Sequence, residues 1–411
     1  MQTTLAPEFK GTRDGEAAEA ILRKCVHCGF CTATCPTYQL LGDELDGPRG
    51  RIYLMKQVLE GGEVTRSTQQ HLDRCLTCRN CESTCPSGVE YGHLVDIGRK
   101  IVEERVERPA GEKAVRWLLR EGLTSPLFGP AMAVGRLMRP LLPDVLRHKV
   151  PPKAPKNAGV WPRRTHVRKV LLLAGGVQPT MLPNINSATA RVLDAAGIQT
   201  LVAPDAGCCG ALRTHLADTE GGLDDMRRNV DAWWPLVEGG AVEAIVVNAS
   251  GCGVAVKDYG HALAHDPAYA AKAARIGAMT RDLSELLPDL VPLLQGKVRL
   301  GSVTRLAFHP PCTLQHGMQL RGGVERYLGE LGFSVEIAGS ESHLCCGSAG
   351  TYSVLQPKLA HELRDRKLGH LAALEPQVIV SANVGCIQHL QSGTPTPVRH
   401  WVEVLDDALV V

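Results

Sequence analysis

Two runs of cysteine near the amino terminus constrain this chain more than anything else in it. The first reads Cys25-Val-His-Cys28-Gly-Phe-Cys31-Thr-Ala-Thr-Cys35-Pro36, and the second Cys75-Leu-Thr-Cys78-Arg-Asn-Cys81-Glu-Ser-Thr-Cys85-Pro86. Both have the form C-x2-C-x2-C-x3-C-P. Three thiolates at three-residue intervals wrap one corner of an iron-sulfur cubane, and the proline turns the chain away after the fourth. In paired runs of this kind the fourth cysteine serves the other cluster. Cys25, Cys28, Cys31 and Cys85 are therefore expected to hold one [4Fe-4S] cluster, and Cys75, Cys78, Cys81 and Cys35 a second. Zinc is the competing reading of paired C-x2-C units. It takes only four ligands, and leaves the third step of each run and both prolines unexplained.

The chain has 411 residues and fifteen cysteines: eight between positions 25 and 85, three between 208 and 252, and four between 312 and 386. The segment Met1 to Lys10 carries Glu8 and no apolar core, unlike a secretory signal. The expected location is the cytoplasm or the inner face of the cell membrane, where thiols stay reduced and serve metals or redox chemistry rather than disulfides. No apolar run approaches the roughly 18 residues of a spanning helix. With 45 Lys plus Arg against 43 Asp plus Glu, the formal charge is +2, so no basic field points to a nucleic-acid partner. The length suits two or three domains, each burying its own core.

Residues 1–110 read as a mainly helical two-cluster head resembling ferredoxins, with helices over 17–24 and 50–60 and another around Leu94 to Val106. Asp46-Gly-Pro-Arg-Gly-Arg-Ile should form a turn into the second of these. Residues 111–167 form a basic connecting segment. From Lys113 to Val150 it mixes Arg116, Arg120, Arg136, Arg139, Arg147 and Lys149 with Trp117, Leu118, Leu137, Met138, Leu141 and Leu142, opposed only by Glu121 and Asp144. Basic amphipathic helices of this kind either lie on an anionic bilayer or pack on neighbouring domains with their arginines in water. The run from Pro151 to Gly159 reads as a linker.

Beyond Lys169, apolar strands (170–174, 198–203 and 244–247) alternate with helical stretches such as 188–196, the pattern of a parallel α/β sheet. The pattern occurs twice. Cys208-Cys209-Gly210 is matched by Cys345-Cys346-Gly347, Gly251-Cys252 by Gly385-Cys386, and Gly197 by Gly332, all at offsets of 134 to 137 residues. Two cysteine-rich α/β repeats are expected, over 168–300 and 303–411, giving a multidomain α+β protein. Their cysteines should gather beyond the carboxyl ends of the strands. The second repeat has Cys312, Cys345, Cys346 and Cys386 for an additional iron-sulfur or metal centre. The first has Gly176 opposite Cys312, which leaves Cys208, Cys209 and Cys252 as a poorer set. His309, His343 and His389 lie near the second set and are candidate ligands or proton carriers, although a lone histidine is more often structural.

Two cluster motifs followed by two Cys-Cys-Gly repeats resemble the iron-sulfur electron-transfer subunits related to heterodisulfide reductase, and within them the glycolate oxidase iron-sulfur subunits. The resemblance runs through Asp46-Gly-Pro-Arg-Gly-Arg-Ile, Gln178-Pro-Thr and Asp231-Ala-Trp-Trp-Pro. It is most specific in Pro311-Cys-Thr-Leu-Gln-His, His343-Leu-Cys-Cys-Gly-Ser-Ala-Gly-Thr-Tyr and Val398-Arg-His-Trp. It implies a complex in which flavin-containing glycolate oxidase subunits oxidise glycolate to glyoxylate and pass electrons through this chain to a membrane quinone, with peripheral association at the membrane. Ala174-Gly175-Gly176 lacks the spacing of a dinucleotide site, so no flavin and no catalytic residue is expected here. Two alternatives stand beside this: a disulfide- or quinone-reductase subunit of another flavin dehydrogenase, such as one for lactate or glycerol-3-phosphate, and a zinc-stabilised scaffold.

Overall fold

In a computed structural model, which describes residues 1–125, 127–141, 150 and 159–410, the head is helical. Its elements are α1 (Arg13–Lys24), α2 (Phe30–Ala33), α3 (Pro36–Leu41), α4 (Pro48–Leu59), α5 (Arg66–Asp73), α6 (Asn80–Thr84) and α7 (Tyr91–Arg105). The Thr12 side chain caps α1 by accepting from the Gly15 amide. Asp14 and Glu16 lie in its first turn and Arg23 and Lys24 in its last, which complements the helix dipole. Pro48 opens α4, where a missing N–H is harmless. Leu22, Met55, Val58, Leu72, Leu94 and Val95 from four helices close one apolar core. The helices expected at 17–24, 50–60 and 94–106 correspond to α1, α4 and α7.

The connecting segment forms α8 (Ala110–Thr124) and α9 (Phe128–Met138). Its polarity is the reverse of both sequence readings, because the arginines point into the protein. Arg116 Nη2 donates to Asp73 (2.9 Å), Arg136 Nη2 to the Thr180 carbonyl (2.7 Å) and Arg139 Nε to the Val150 carbonyl (2.9 Å). Arg120 pairs with Glu121 and faces Asp218. Trp117, Leu118, Leu127, Val134, Leu137 and Leu141 are exposed instead. A guanidinium gains more from carboxylates and carbonyls on the body than an apolar chain would there. Arg147, Lys149, Leu142, Asp144 and 151–158 of the expected linker lie outside the described residues.

Two four-stranded parallel sheets follow. The first contains β1 (Arg168–Leu172), β2 (Ile198–Leu201), β3 (Ala244–Val247) and β4 (Thr280–Asp282) in the order β2-β1-β3-β4. The second contains β5 (Arg305–His309), β6 (Ser334–Ile337), β7 (Val378–Ser381) and β8 (Val398–His400) in the order β6-β5-β7-β8. The same strand order recurs with matching register: Val170 pairs with Ala244 as Leu306 pairs with Val378. The central strands β3 and β7 are buried along their whole length, as sheets covered on both faces require.

One face of the first sheet closes over a core of its own, with Leu171, Val230, Trp233 and Ile245, whereas the other face shares its interior with the second repeat. Ile185, Val192 and Leu290 of the first and Leu306, Phe308, Trp401 and Leu405 of the second belong to one apolar cluster. Arg191 Nε donates to Asp406 across the junction (2.8 Å), and the Ser250 amide donates to the Ala382 carbonyl (3.0 Å). The carboxyl ends of β3 and β7 are thereby brought face to face.

Candidate iron-sulfur centres

Both head motifs fold into the same loop. His27 and Thr77, just before the second cysteine of each run, are left-handed (φ 54° and 51°), as are Gly29 and Arg79 just after it (86° and 57°). Two reversals within five residues turn successive thiols inward, and three of these residues carry a side chain in a region such residues rarely occupy. Strain of that kind persists where the surroundings demand it. The Thr77 amide donates to Cys75 Sγ (3.4 Å) and Tyr91 OH approaches the same sulfur (3.6 Å).

The thiols line two cavities. One is bounded by Cys25, Cys28, Cys31 and Cys85, with Cys81 at its edge, and the other by Cys35, Cys75, Cys78 and Cys81. The fourth cysteine of each run thus stands with the first three of the other. Among the described residues, no three head thiols lie within 4.8 Å of one another. Each cavity is lined by the four thiols that one cubane would take. Burial, then the neighbouring Cys25, pushes the Cys31 thiol up to about 11. A metal's charge is what would hold such groups as thiolates.

The first cavity is nearer the surface, with Cys28, Val26 and Phe30 exposed. The second is deeper and has a buried cation on its wall. Arg51 donates to the His71 carbonyl (2.7 Å), to Thr37 (3.2 Å) and to Asp46 (3.4 Å). Asp43, Asp46 and His71 form a compact group of possible ligands, but the Asp46 carboxylate is already engaged by Arg51, Arg74 (2.8 Å) and His71 (3.1 Å). This network orders the turn before α4, which the sequence reading treated only as a turn.

In the second repeat Cys312 follows β5, Cys345 and Cys346 follow β6, and Cys386 begins the helix Val384–Gln391 after β7. All four are buried. They lie beyond the carboxyl ends of adjacent strands, at the point where strand order reverses. Cys312 Sγ and Cys345 Sγ are 3.8 Å apart. The glycine of each Cys-Cys-Gly has a geometric reason: Gly210 and Gly347 both have φ of 87°, and a Cβ would meet the carbonyl of Gly222 at 2.5 Å or of Ala360 at 2.4 Å. In the first repeat a Cβ on Gly176 would stand 3.3 Å from the Cys208 Cβ, the place Cys312 takes beside Cys345.

Of the three histidines, His309 joins Cys346 and Cys386, with its ring nitrogen and their sulfurs all within 4.8 Å. His389 Nε2 lies 3.0 Å from the Ala360 carbonyl. His343 contributes its carbonyl, 2.8 Å from His316 Nε2, while His316 Nδ1 accepts from Ser83 of the head (2.8 Å). Burial pushes His316 down to about 4, so it serves this bridge as a neutral ring. Two residues not singled out from sequence stand beside this set: Lys367, 3% exposed, whose ammonium donates to the Glu341 carbonyl, and Asn383, whose amide approaches Cys386 Sγ (3.8 Å). A single buried lysine has no spacing pattern by which sequence could reveal it.

The head is seated directly on this second set. Cys78 packs in one cluster with Cys312, Cys345, Leu76 and Tyr352. Asn80 donates to the His343 carbonyl (3.3 Å) and Tyr352 OH to the Arg74 carbonyl (3.1 Å). The thiols of the deeper head cavity and of the second repeat are therefore contiguous.

Residues 21–89 match the 4Fe-4S dicluster domain family, and residues 171–257 and 306–391 each match the cysteine-rich domain family. The chain is 54% identical to the glycolate oxidase iron-sulfur subunit of Escherichia coli (strain K12), over 100% of this chain and 99% of that protein. It is 30% identical to the probable glycolate oxidase iron-sulfur subunit of Bacillus subtilis (strain 168), over 94% and 91%. Lactate utilization protein A of an Exiguobacterium species is 22% identical over 58% of this chain and 98% of its own length.

Proposed function

Since this chain belongs to the family of glycolate oxidase iron-sulfur subunits, we propose that it is the electron-transfer subunit of a glycolate-oxidising complex and holds two [4Fe-4S] clusters in its head. Cys25, Cys28, Cys31 and Cys85 ligate the outer cluster, and Cys75, Cys78, Cys81 and Cys35 the inner. Flavin-containing partner subunits oxidise glycolate to glyoxylate, and the clusters divide the flavin's electron pair into single steps. Exposed Val26 and Phe30 leave the outer site open to a partner, so a cluster there would be the entry point for electrons. Clusters held in the head would supply one-electron carriers: the inner site adjoins Cys312, Cys345, Cys346 and Cys386, which would hold a further iron-sulfur centre on the way to a membrane quinone. In the first repeat, Cys208, Cys209 and Cys252 are the weaker metal set and serve packing.

The observation that carries this reading is the packing of Cys78 against the cluster that contains Cys312 and Cys345, which joins two thiol sets 230 residues and more apart in sequence. Among the described residues no helix is long and apolar enough to cross a membrane. The exposed apolar side chains of α8 and α9 instead support peripheral seating at the inner face of the cell membrane.

Anaerobic addition of glycolate tests the reading. In the complex copurified with this chain, glycolate should bleach the flavin and bring up the EPR signals of reduced clusters, whereas the isolated chain should stay oxidised. Glycolate oxidation by the isolated chain, or zinc in place of iron and acid-labile sulfide, would overturn it.

A further inference from the structure

His309 is the last residue of β5 and is 1% exposed. Ser381 Oγ donates to its carbonyl (2.9 Å), which ties the strand end to β7. Neither ring nitrogen has a hydrogen-bond partner. A fully buried imidazole with both nitrogens unpaired is a strongly unfavourable arrangement unless something in the site takes one of them. One ring nitrogen, Cys346 Sγ and Cys386 Sγ all lie within 4.8 Å of one another. Ligands on one tetrahedral metal stand about 3.5 to 3.8 Å apart, so a small contraction brings this trio onto a single ion.

The first repeat provides an internal comparison. Leu172 pairs with Val246 as Phe308 pairs with Val380, which places Leu173 where the second repeat has His309. Leu173 is buried among apolar neighbours, and Gly176 stands in place of Cys312. The nitrogen donor and the fourth thiol are absent together from one repeat and present together in the other.

We propose that His309 is a direct nitrogen ligand, beside Cys346 and Cys386, to an iron of an iron-sulfur centre in the second repeat. This rests on the reading above that the second repeat holds such a centre. The donor set favours iron-sulfur over one zinc: with Cys312 and Cys345, whose sulfurs are 3.8 Å apart, it has five members, more than a zinc tetrahedron accepts. Imidazole in place of thiolate leaves a cluster less negative and raises its potential. The last centre of the line would then draw electrons from the thiolate-held clusters of the head.

Pulsed EPR on the reduced complex, unlabelled and labelled with 15N-histidine, tests this alongside iron and sulfide analysis. A strongly coupled histidine nitrogen should appear on a centre distinct from the head's two. His309→Cys should keep iron and sulfide contents, lose that nitrogen and lower the centre's potential. His309→Leu, the first-repeat residue, should lose the centre and leave the head's signals intact. Metal beyond the head without a coupled nitrogen, a coupling unchanged in His309→Cys, or zinc at the site would each overturn the ligand assignment. Iron and sulfide that account for the head alone would remove the centre and the assignment with it. Loss of the head's own signals from the wild-type protein would instead overturn the electron-carrier reading.

Discussion

At the scale of single residues, the head thiols were legible because cluster ligation writes its geometry into spacing. Two runs of the same spacing read as eight ligands, and each cavity is lined by the first three thiols of one run and the fourth of the other, with Cys81 shared. Cys35→Ser is therefore expected to perturb the cluster of Cys75, Cys78 and Cys81, and to leave the other's low-temperature EPR signal within about 10 to 20% of wild type. Selective loss of the cluster of Cys25, Cys28 and Cys31 would contradict the division. Arg51 and Lys367 were not legible as parts of the sites. Each is one buried cation whose role arises from chain segments distant in sequence, and neither periodicity nor motif spacing encodes that. Among the histidines, sequence gave three equal neighbours of the second thiol set. Only placement at the end of β5 separates His309 from His389, which faces a backbone carbonyl.

At the scale of elements, apolar periodicity located three strands of the first sheet and the longer head helices, while the short strand Thr280–Asp282 was not read and the orientation of α8 and α9 was misread. A hydrophobic stripe shows that a helix has two faces; which one turns inward depends on what the body offers. Here Asp73 and the carbonyls of Thr180 and Met181 draw the arginines in. Two sets of substitutions should accordingly behave in opposite ways. Replacing Trp117, Leu118 and Leu137 with Gln should weaken binding to phospholipid vesicles at least tenfold, by roughly 1.4 kcal/mol or more, with the melting temperature unchanged. Arg116→Gln should leave vesicle affinity nearly intact and lower stability by about 1–3 kcal/mol, because it removes a partner from largely buried Asp73. Sedimentation with vesicles and thermal melts separate the two. Loss of binding only in the arginine variant would restore the electrostatic reading.

At the scale of the molecule, the repeats were legible as a duplication but their common interior was not. Contacts such as Ile185 and Val192 with Trp401 and Leu405 join segments some 200 residues apart. The head is docked on both repeats, and its seat on the first includes a histidine–carboxylate pair. His93 Nε2 lies 2.8 Å from Asp258, Arg79 is 3.5 Å from the same carboxylate, and the His261 ring stacks on His93 at 4.0 Å. The hydrogen bond to Asp258, against burial, raises the His93 pKa. Burial works against the Asp258 charge, yet His93 and Arg79 hold its carboxyl below the usual range. The His93 contribution is thus complete below its unfolded value of about 6.5 and lost as pH rises through the raised folded value. The Asp258 contribution is present above about 3.9 and lost as pH falls through the lowered one. Wild type should exceed Asp258→Asn in melting temperature most between about pH 4 and 6.5, with the gap narrowing above pH 7. A gap constant to pH 9 would remove the ion pair from the account.

The central claim is that electrons cross from the head into the second repeat through the contiguous thiols. Rapid-freeze EPR of the complex during a single turnover, with quinone reduction followed in parallel, tests it most directly in Cys346→Ala, with Cys209→Ala as the matched control. The account predicts that glycolate fills the head clusters of Cys346→Ala at the wild-type rate and that they remain reduced, with quinone reduction slowed at least a hundredfold, about 2.7 kcal/mol. Cys209→Ala should turn over within about threefold of wild type. Full quinone turnover in Cys346→Ala with a stalled Cys209→Ala would contradict the account and place the path in the other repeat.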